Sequence, residues 1–514
     1  MKKIIILQLF LLHNLLSFAQ PTTHYFNKVF PSYNTDTINL LSQVIRPVDG
    51  GYVVMGNFGT ISREGLYLQK IDSLGNPVWF QDFVLDQGLI DVDIIREGSG
   101  VLQLADQNLV VAYTKNNNTP TSYDIWLSKV NVQTGEKIWT HTYPDSLEEA
   151  SIQVIQTIDG GFAIGGVQAN DTERVFYLLK TNAFGDFQWK RTYKRGNDAM
   201  LFSVQQWWDG TYIMGGWGWN GTDYDMWVVK TDEQGDTLWT KALGGAYSDC
   251  AASVSVLTTW EDWYYNNAPV TYLVSGCNYV DEFTKKQYVA KLSEDGNTII
   301  WQHSYNNPND IFWLSGLQTM PIIYPDGSFL GVAGYYNQDF PDQGFYAALL
   351  MKFRSSGTVE WYKKLYPENI FAEAYIKDLQ RTPDGGYVMA GYQYSPMPQK
   401  GWVLKMDADF NTCSFAGCDS TVYVGVGEEL ILPPQDRFRV SPNPAQDYFT
   451  IENNSLGQNI TFVLYDVTGR RVLSFIPENQ SVVPIEHLSS GVYLYQILNP
   501  QNQILQHGKI SIVR

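Results

Sequence analysis

A short text with a lysine, a glycine and a tryptophan at near-constant offsets recurs six times along this chain, and no other feature limits its fold so tightly. The copies are KIDSLGNPVWFQDF (Lys70 to Phe83), KVNVQTGEKIWTHTY (Lys129 to Tyr143), KTNAFGDFQWKRTY (Lys180 to Tyr193), KTDEQGDTLWTKAL (Lys230 to Leu243), KLSEDGNTIIWQHSY (Lys291 to Tyr305) and KFRSSGTVEWYKKLY (Lys352 to Tyr366). A second text accompanies it: DGGYVVMG from Asp49, DQNLVVAY from Asp106, DGGFAIGG from Asp159, DGTYIMGG from Asp209, DGSFLGVAG from Asp326 and DGGYVMAG from Asp384, with a degenerate APVTYLVSG from Ala268. Counted by the second text there are seven units.

Each unit resolves into four short alternating runs, such as SIQVIQT, GFAIGGVQA, VFYLLKT and FQWKRTY, joined at turn residues Asp159-Gly160-Gly161 and Phe184-Gly185-Asp186. Asp-Gly and Gly-Asp supply the positive-φ positions that tight hairpin turns require. A four-stranded meander repeated at about 50 to 60 residues is the pattern of a β-propeller blade, and one tryptophan per blade suits packing against a neighbouring blade. The seventh unit, GWVLKMDADF (Gly401 to Phe410), has Ser414 at the tryptophan position and no fourth strand, whereas HYFNKVF (His24 to Phe30) reads as a fourth strand without a unit. Joining the two predicts an all-β chain whose seven-bladed propeller is closed by an N-terminal strand, with no edge left open.

The two ends differ from the body. Lys2-Lys3, the apolar run Ile4 to Leu12 and Ser17-Phe18-Ala19-Gln20 have the layout of a cleavable secretory signal over residues 1–20. No later stretch offers the roughly 18 to 20 apolar residues needed to span a bilayer. The chain has 53 Asp and Glu against 35 Lys and Arg. Residues 437–514 are nearly balanced, with six basic and five acidic side chains, so the acidic excess lies in residues 21–436. Such a body repels polyanions and makes nucleic acid a poor partner. Cys413 and Cys418 are close enough in sequence to pair in an oxidising compartment, and Cys250 and Cys277 are either a bridge or two buried small residues.

VNVQTGEKIWTH resembles the tryptophan-docking motif of quinoprotein-type propeller repeats over the turn and fourth strand. Quinoprotein dehydrogenases of that group carry an adjacent cysteine pair and eight blades; here no two cysteines are adjacent and seven units are counted, so no quinone or other cofactor is expected. The tail is similar to the type A C-terminal sorting domain of the type IX secretion system in four ordered blocks: VSPNPAQDYFTI (Val440 to Ile451), VLYDVTGRRV (Val463 to Val472), LSSGVYLYQI (Leu488 to Ile497) and GKISIV (Gly508 to Val513). That resemblance implies export by the type IX machinery, removal of the tail, and release or attachment at the cell surface. The same segment reads from its alternation as a small Ig-like β-sandwich. The expected domains are a signal peptide at 1–20, a propeller at 21–417, a linker at 418–436 containing Pro433-Pro434, and the sorting domain at 437–514.

In a meander the first-to-second and third-to-fourth turns share one face, and here those turns are short and uniform. The opposite face carries loops of varied length, where function is expected. Those loops hold Trp217, Trp219, Tyr224, Tyr279, Tyr335, Tyr336, Tyr392 and Tyr394, aromatic groups suited to stacking on a sugar or clasping a peptide, and equally able to cover the ends of the blades. Trp217 and Trp219 are two apart and so share one side of an extended segment. An acidic residue precedes each first strand: Asp36, Asp93, Glu149, Asp198, Asp249, Asp310 and Glu373. These are expected to hydrogen-bond their own turn backbone, calcium being the less favoured occupant, and no metal site is assigned. His13 lies in the signal, His487 and His507 in the tail, and His24, His141 and His303 in tryptophan strands, which leaves the loop face without histidine chemistry. The reading is a monomeric secreted or surface propeller that binds glycan or protein and is not assigned as an enzyme. A carboxylate-based glycoside-active enzyme and a structural envelope module are the alternatives.

Overall fold

The structure, a computed structural model, describes residues 26–30, 38–45, 50–59, 64–86, 99–116, 123–279, 285–305, 314–317, 320–337, 345–365, 374–393, 399–412 and 422–424, and in the C-terminal region 438–441, 444–453, 460–466, 470–477, 480–485, 488–498 and 504–513. They fall into two compact units, one ending with Val422–Val424 and one starting at Phe438. The signal-like segment, Cys413 and Cys418 lie outside the described residues.

The first unit is a propeller-like series of antiparallel sheets. In chain order the first comprises Ile38–Ile45, Tyr52–Gly59, Glu64–Ile71 and Pro77–Asp86; the second Ser99–Gln103, Leu109–Asn116, Tyr123–Val130 and Lys137–Tyr143; the third Glu148–Gln156, Phe162–Ala169, Arg174–Thr181 and Phe187–Tyr193. The fourth comprises Ala199–Gln206, Tyr212–Trp219, Tyr224–Thr231 and Thr237–Leu243, and the fifth Cys250–Val256, Tyr272–Tyr279, Lys285–Leu292 and Ile299–Tyr305. The sixth is built on Leu314–Leu317, Phe329–Asn337, Phe345–Phe353 and Val359–Leu365, with Ile322–Ile323 paired to Phe329–Asn337. Val422–Val424, in the stretch expected as linker, adds an outer strand there through Trp361, Tyr362 and Lys363. The seventh is Ala374–Arg381, Tyr387–Gln393, Lys400–Met406 and, beside that last strand, the N-terminal Phe26–Phe30, in register from Phe26 opposite Lys405 to Phe30 opposite Gly401.

The repeated residues have identifiable tasks. The glycine before each tryptophan strand takes a positive φ, as Gly185 does at 87° and Gly235 at 82°, and the tryptophan of the preceding sheet lies on its bare Cα. A Cβ on Gly235 would come within 2.7 Å of the Trp189 ring, and one on Gly296 within 2.7 Å of Trp239. The ring on Gly75 of the first sheet belongs to Phe26 of the N-terminal strand, so that strand plays the tryptophan strand's part in the seventh sheet. Tyr143 and Tyr193, at the ends of their strands, donate to the carbonyls of Gly185 and Gly235 at 2.6 and 2.8 Å, and Tyr305 donates to that of Gly357. In the third and seventh sheets the recurrent lysine reaches back to the Asp-Gly turn of its own sheet: Lys180 pairs with Asp159 and Lys405 with Asp384, each at 2.9 Å.

The first strands of neighbouring sheets are joined by another device. Pairing shifts by one residue between Leu41 and Gln43, Ser151 and Gln153, Leu201 and Ser203, Ala251 and Ser253, and Ile376 and Asp378. Such a bulge re-aims the next side chain. Gln43, Gln153, Ser203 and Asp378 use this to accept from the amides of Val101, Val204, Val254 and Val44, at 2.6, 2.7, 2.8 and 3.0 Å. Each of these amides lies on the next sheet, and the Asp378 bond links the seventh sheet to the first.

The C-terminal unit has two antiparallel sheets. One contains Phe438–Ser441, Tyr448–Asn453 and Gln480–Pro484, the other Arg471–Phe475, Thr461–Tyr465, Gly491–Leu498 and Ile504–Ile512. Phe449, Ile451, Phe462, Leu464, Ile497 and Ile510 are buried in one shared core.

Gly235→Val places a branched side chain at positive φ and into the Trp189 ring. It is expected to lower the unfolding free energy by about 1–3 kcal/mol from backbone strain alone, with the clash adding to this. Urea unfolding of the variant checks it.

Candidate functional site

Three of the eight expected site residues come together. Trp217 and Trp219 stand on Tyr212–Trp219 of the fourth sheet, and Tyr224, directly opposite Trp219 in register, opens the next strand. The Tyr224 ring meets Trp217 edge-on at 4.6 Å and Trp219 at 5.0 Å between centroids. Its hydroxyl donates to Asp198 Oδ2 at 2.9 Å, while Arg174 of the third sheet donates from Nε to Asp198 Oδ1 at 2.7 Å and lies over the Trp217 ring at 5.0 Å. Burial, with the Asp198 carboxylate beside it, raises the Tyr224 phenol above its ordinary value. All three rings are part-exposed. The cluster is an aromatic surface held in one conformation by an ion pair and a charge-assisted hydrogen bond.

The other expected residues are not assembled with them. Tyr279 is half-buried and its amide donates to Asp249 Oδ1 at 3.1 Å. Tyr392 packs on Tyr375 at 5.2 Å in the seventh sheet. Tyr335 and Tyr336 occupy Phe329–Asn337, opposite Ala347 and Tyr346, and Tyr394 is outside the described residues.

Of the acidic residues before the first strands, Glu149, Asp198 and Asp249 are described, and they differ. Asp249 does bind turn backbone, accepting from Gly245 N at 2.8 Å. Asp198 and Glu149 correct the expectation by binding side chains instead, Asp198 as above and Glu149 in an ion pair with Lys190, which also reaches Asp145 at 2.9 Å. Burial pushes the Asp249 carboxyl up to about 6, with Asp225 and Asp223 adding to the rise, and burial pushes Glu149 up to about 7 against the pull of Lys190. Both carboxylates are enclosed, and Asp249 already accepts from two amides, which suits bracing better than proton transfer to a ligand. Among the described residues no group of three or more His, Cys, Asp or Glu is placed to hold a metal. Cys277 is disulfide-bonded, and the residue opposite it in register is Cys250.

One aromatic feature was missed by the sequence reading. Where other repeats have a short Asp-Gly turn, TTWEDWYYNNAP inserts a helix, α1 (Trp260–Tyr265), capped by the Thr259 hydroxyl, which accepts from Asp262 N at 3.1 Å. Its rings gather with those before the Asp209 turn: Trp260 with Trp208 at 5.2 Å and Trp263 with Trp207 at 6.0 Å. Tyr265 remains 65% exposed. The signal was present as a Thr-x-x-Asp capping pattern ahead of an aromatic run.

Residues 439–512 match the family described as the secretion system C-terminal sorting domain. This tail marks a protein for secretion or for attachment at the cell surface, and it supports the reading as type IX cargo through contact with that machinery. No helix among the described residues is long and apolar enough to cross a membrane. No curated protein matches the chain. Solved structures similar to it include a protein of unknown function from Dyadobacter fermentans DSM 18053 (12% identity, 75% of this chain and 99% of that one, TM-score 0.40). Others are the Penicillium chrysogenum α-L-arabinanase complexed with arabinobiose (12%, 61% and 93%, 0.36) and the polysaccharide lyase Uly1 (10%, 77% and 94%, 0.42). At such scores a shared chemistry does not follow.

The raised carboxyls give a pH dependence of known sign. A carboxyl whose folded pKa lies above its unfolded value contributes stability at low pH, and this is lost as pH climbs through about 6 for Asp249 and about 7 for Glu149. The melting temperature is therefore expected to rise between pH 8 and pH 5, and Asp249→Asn to flatten that rise. Calorimetry of both proteins across this range checks it.

Proposed function

We propose that the chain is a cargo of the type IX system whose first unit, a seven-bladed β-propeller closed by Phe26–Phe30, binds glycan at the aromatic surface of Trp217, Trp219 and Tyr224. The domains are a signal peptide at 1–20, the propeller at 21–417, a linker at 418–436 and an Ig-like sorting domain at 437–514. The protein acts as a monomer and binds without turnover. The ring is supported by the Phe26–Phe30 pairing and by the Asp378 bond to Val44.

The observation that carries the binding reading is the fixed, part-exposed set of three rings around Tyr224, with Arg174 and Asp198 as hydrogen-bonding groups at its border. A pyranose presents an apolar C–H face and an edge of hydroxyls, and rings flanked by charged hydrogen-bonding groups complement both. The enclosure of Glu149 and Asp249 favours binding over carboxylate catalysis.

Replacing Trp217 and Trp219 together by alanine is expected to weaken binding to an immobilised polysaccharide panel by about 1–3 kcal/mol, the range of aromatic anchors, while leaving the melting temperature nearly unchanged. A large loss of stability would instead assign both rings to the fold. Retention only of proteins from an envelope extract would replace glycan with a protein partner. Removing 437–514 is expected to leave a folded propeller in the periplasm, and surface display in normal amounts would refute export through the tail.

A further inference from the structure

The tryptophan strands of the second, third and fifth sheets end in Tyr143, Tyr193 and Tyr305, whose hydroxyls bond the glycine carbonyl of the next sheet. In the fourth sheet that position is Leu243, which has no hydroxyl to offer the Gly296 carbonyl of the fifth. The chain continues as Gly244-Gly245, where its neighbours continue as Pro144-Asp145 and Lys194-Arg195. Leu365 of the sixth sheet lacks the hydroxyl too, but there Lys363 donates to the Phe410 carbonyl at 2.7 Å. At Leu243 the departure from the repeat coincides with a cleft of about 520 Å³ between the outer strands of the fourth and fifth sheets. That volume lies in the range of small-molecule sites.

The lining is amphipathic. Met226, Leu243 and Ile299 form an apolar floor. Above it stand two amides fixed by neighbours: Ser304 Oγ donates to Asn278 Oδ1 at 3.1 Å, and the Tyr288 hydroxyl donates to Gln302 Oε1 at 2.8 Å. With their oxygens accepting, both side-chain nitrogens remain as donors, and neither has a partner among the described residues. Among the described residues no carboxylate lines the cleft. Two basic side chains also line it, His303 bonded to the Ser356 carbonyl at 2.9 Å and Lys241 reaching that of Asn297 at 3.4 Å.

We propose that this cleft is a separate binding site for one end of an uncharged sugar, with the apolar floor under the ring and the Asn278 and Gln302 amides donating to its hydroxyls. The two free donors are neutral amides, which suit the hydroxyl oxygens of an uncharged sugar. The site is independent of the Trp217 and Trp219 surface, so either can fail without the other.

Leu243→Tyr restores the repeat, fills the cleft and offers a hydroxyl to the Gly296 carbonyl, so a folded protein of at least parental melting temperature is expected. The probes are the methyl glycosides of glucose, galactose, mannose, xylose and arabinose with their β-linked disaccharides, and glucuronate and galacturonate as charged counterparts. Saturation-transfer NMR and calorimetric titration of the full chain read binding. At least one neutral sugar is expected to bind, with affinity falling tenfold or more in Leu243→Tyr and in Asn278→Ala combined with Gln302→Ala, but kept when Trp217 and Trp219 are replaced. The amide pair carries the test should Leu243→Tyr not fold. The assignment is overturned if no neutral sugar binds the parent, if only the uronates do, or if binding survives the folded cleft variants.

Discussion

Six of the seven junctions in the first unit rest on an aromatic ring lying against a glycine of the following sheet, and at the remaining one Trp361 meets Phe410 at 4.5 Å. A four-stranded sheet of eight-residue strands has two apolar faces and cannot cover either alone, so each sheet is stable only against its neighbours. At those six the contact uses two unusual things at once: a backbone at positive φ and the absence of a Cβ. Glycine satisfies both, and at three of these junctions a tyrosine hydroxyl bonded to that glycine's carbonyl adds a second tie. Phe26 on Gly75 is the same contact made by the N-terminal strand, which is why a segment so far away in sequence behaves as a member of the seventh sheet.

What could be read from the sequence was whatever the repeat writes in constant letters. Tryptophan, glycine, lysine and the Asp-Gly turns recur because their places in the sheet recur, and so strands and turns were legible in most units. The residues after the bulges do one task with different letters, Gln43, Gln153, Ser203 and Asp378, because an acceptor can be an amide, a hydroxyl or a carboxylate. No text pattern marks them. At the candidate site the period-two spacing of Trp217 and Trp219 was legible, but Arg174 and Asp198 were not joinable in advance, since one ends a loop of the third sheet and the other begins the fourth. Helix α1 was hidden by the opposite cause: it interrupts the repeat, and an interruption has no other copy for comparison.

Departures from the repeat are also where the candidate chemistry lies. The aromatic surface stands at the loop end of the fourth sheet, α1 replaces a turn of the fifth, and the cleft opens where Leu243-Gly244-Gly245 lacks the tyrosine bond that other junctions have. A rigid array tolerates such local losses because each costs one interface among several, while the remaining contacts hold the geometry. The acidic excess lies in residues 21–436, apart from the nearly neutral tail that marks the chain for secretion or surface attachment.

The central claim is that the chain closes on itself through Phe26–Phe30. Amide hydrogen exchange on the intact protein tests this most directly, followed in 26–30 and in the facing 401–405. The account predicts protection in both segments comparable to that of Phe162–Ala169, a central strand of the third sheet. Exchange of 26–30 at the rate of an unpaired chain, with 401–405 behaving as an open edge, would contradict it.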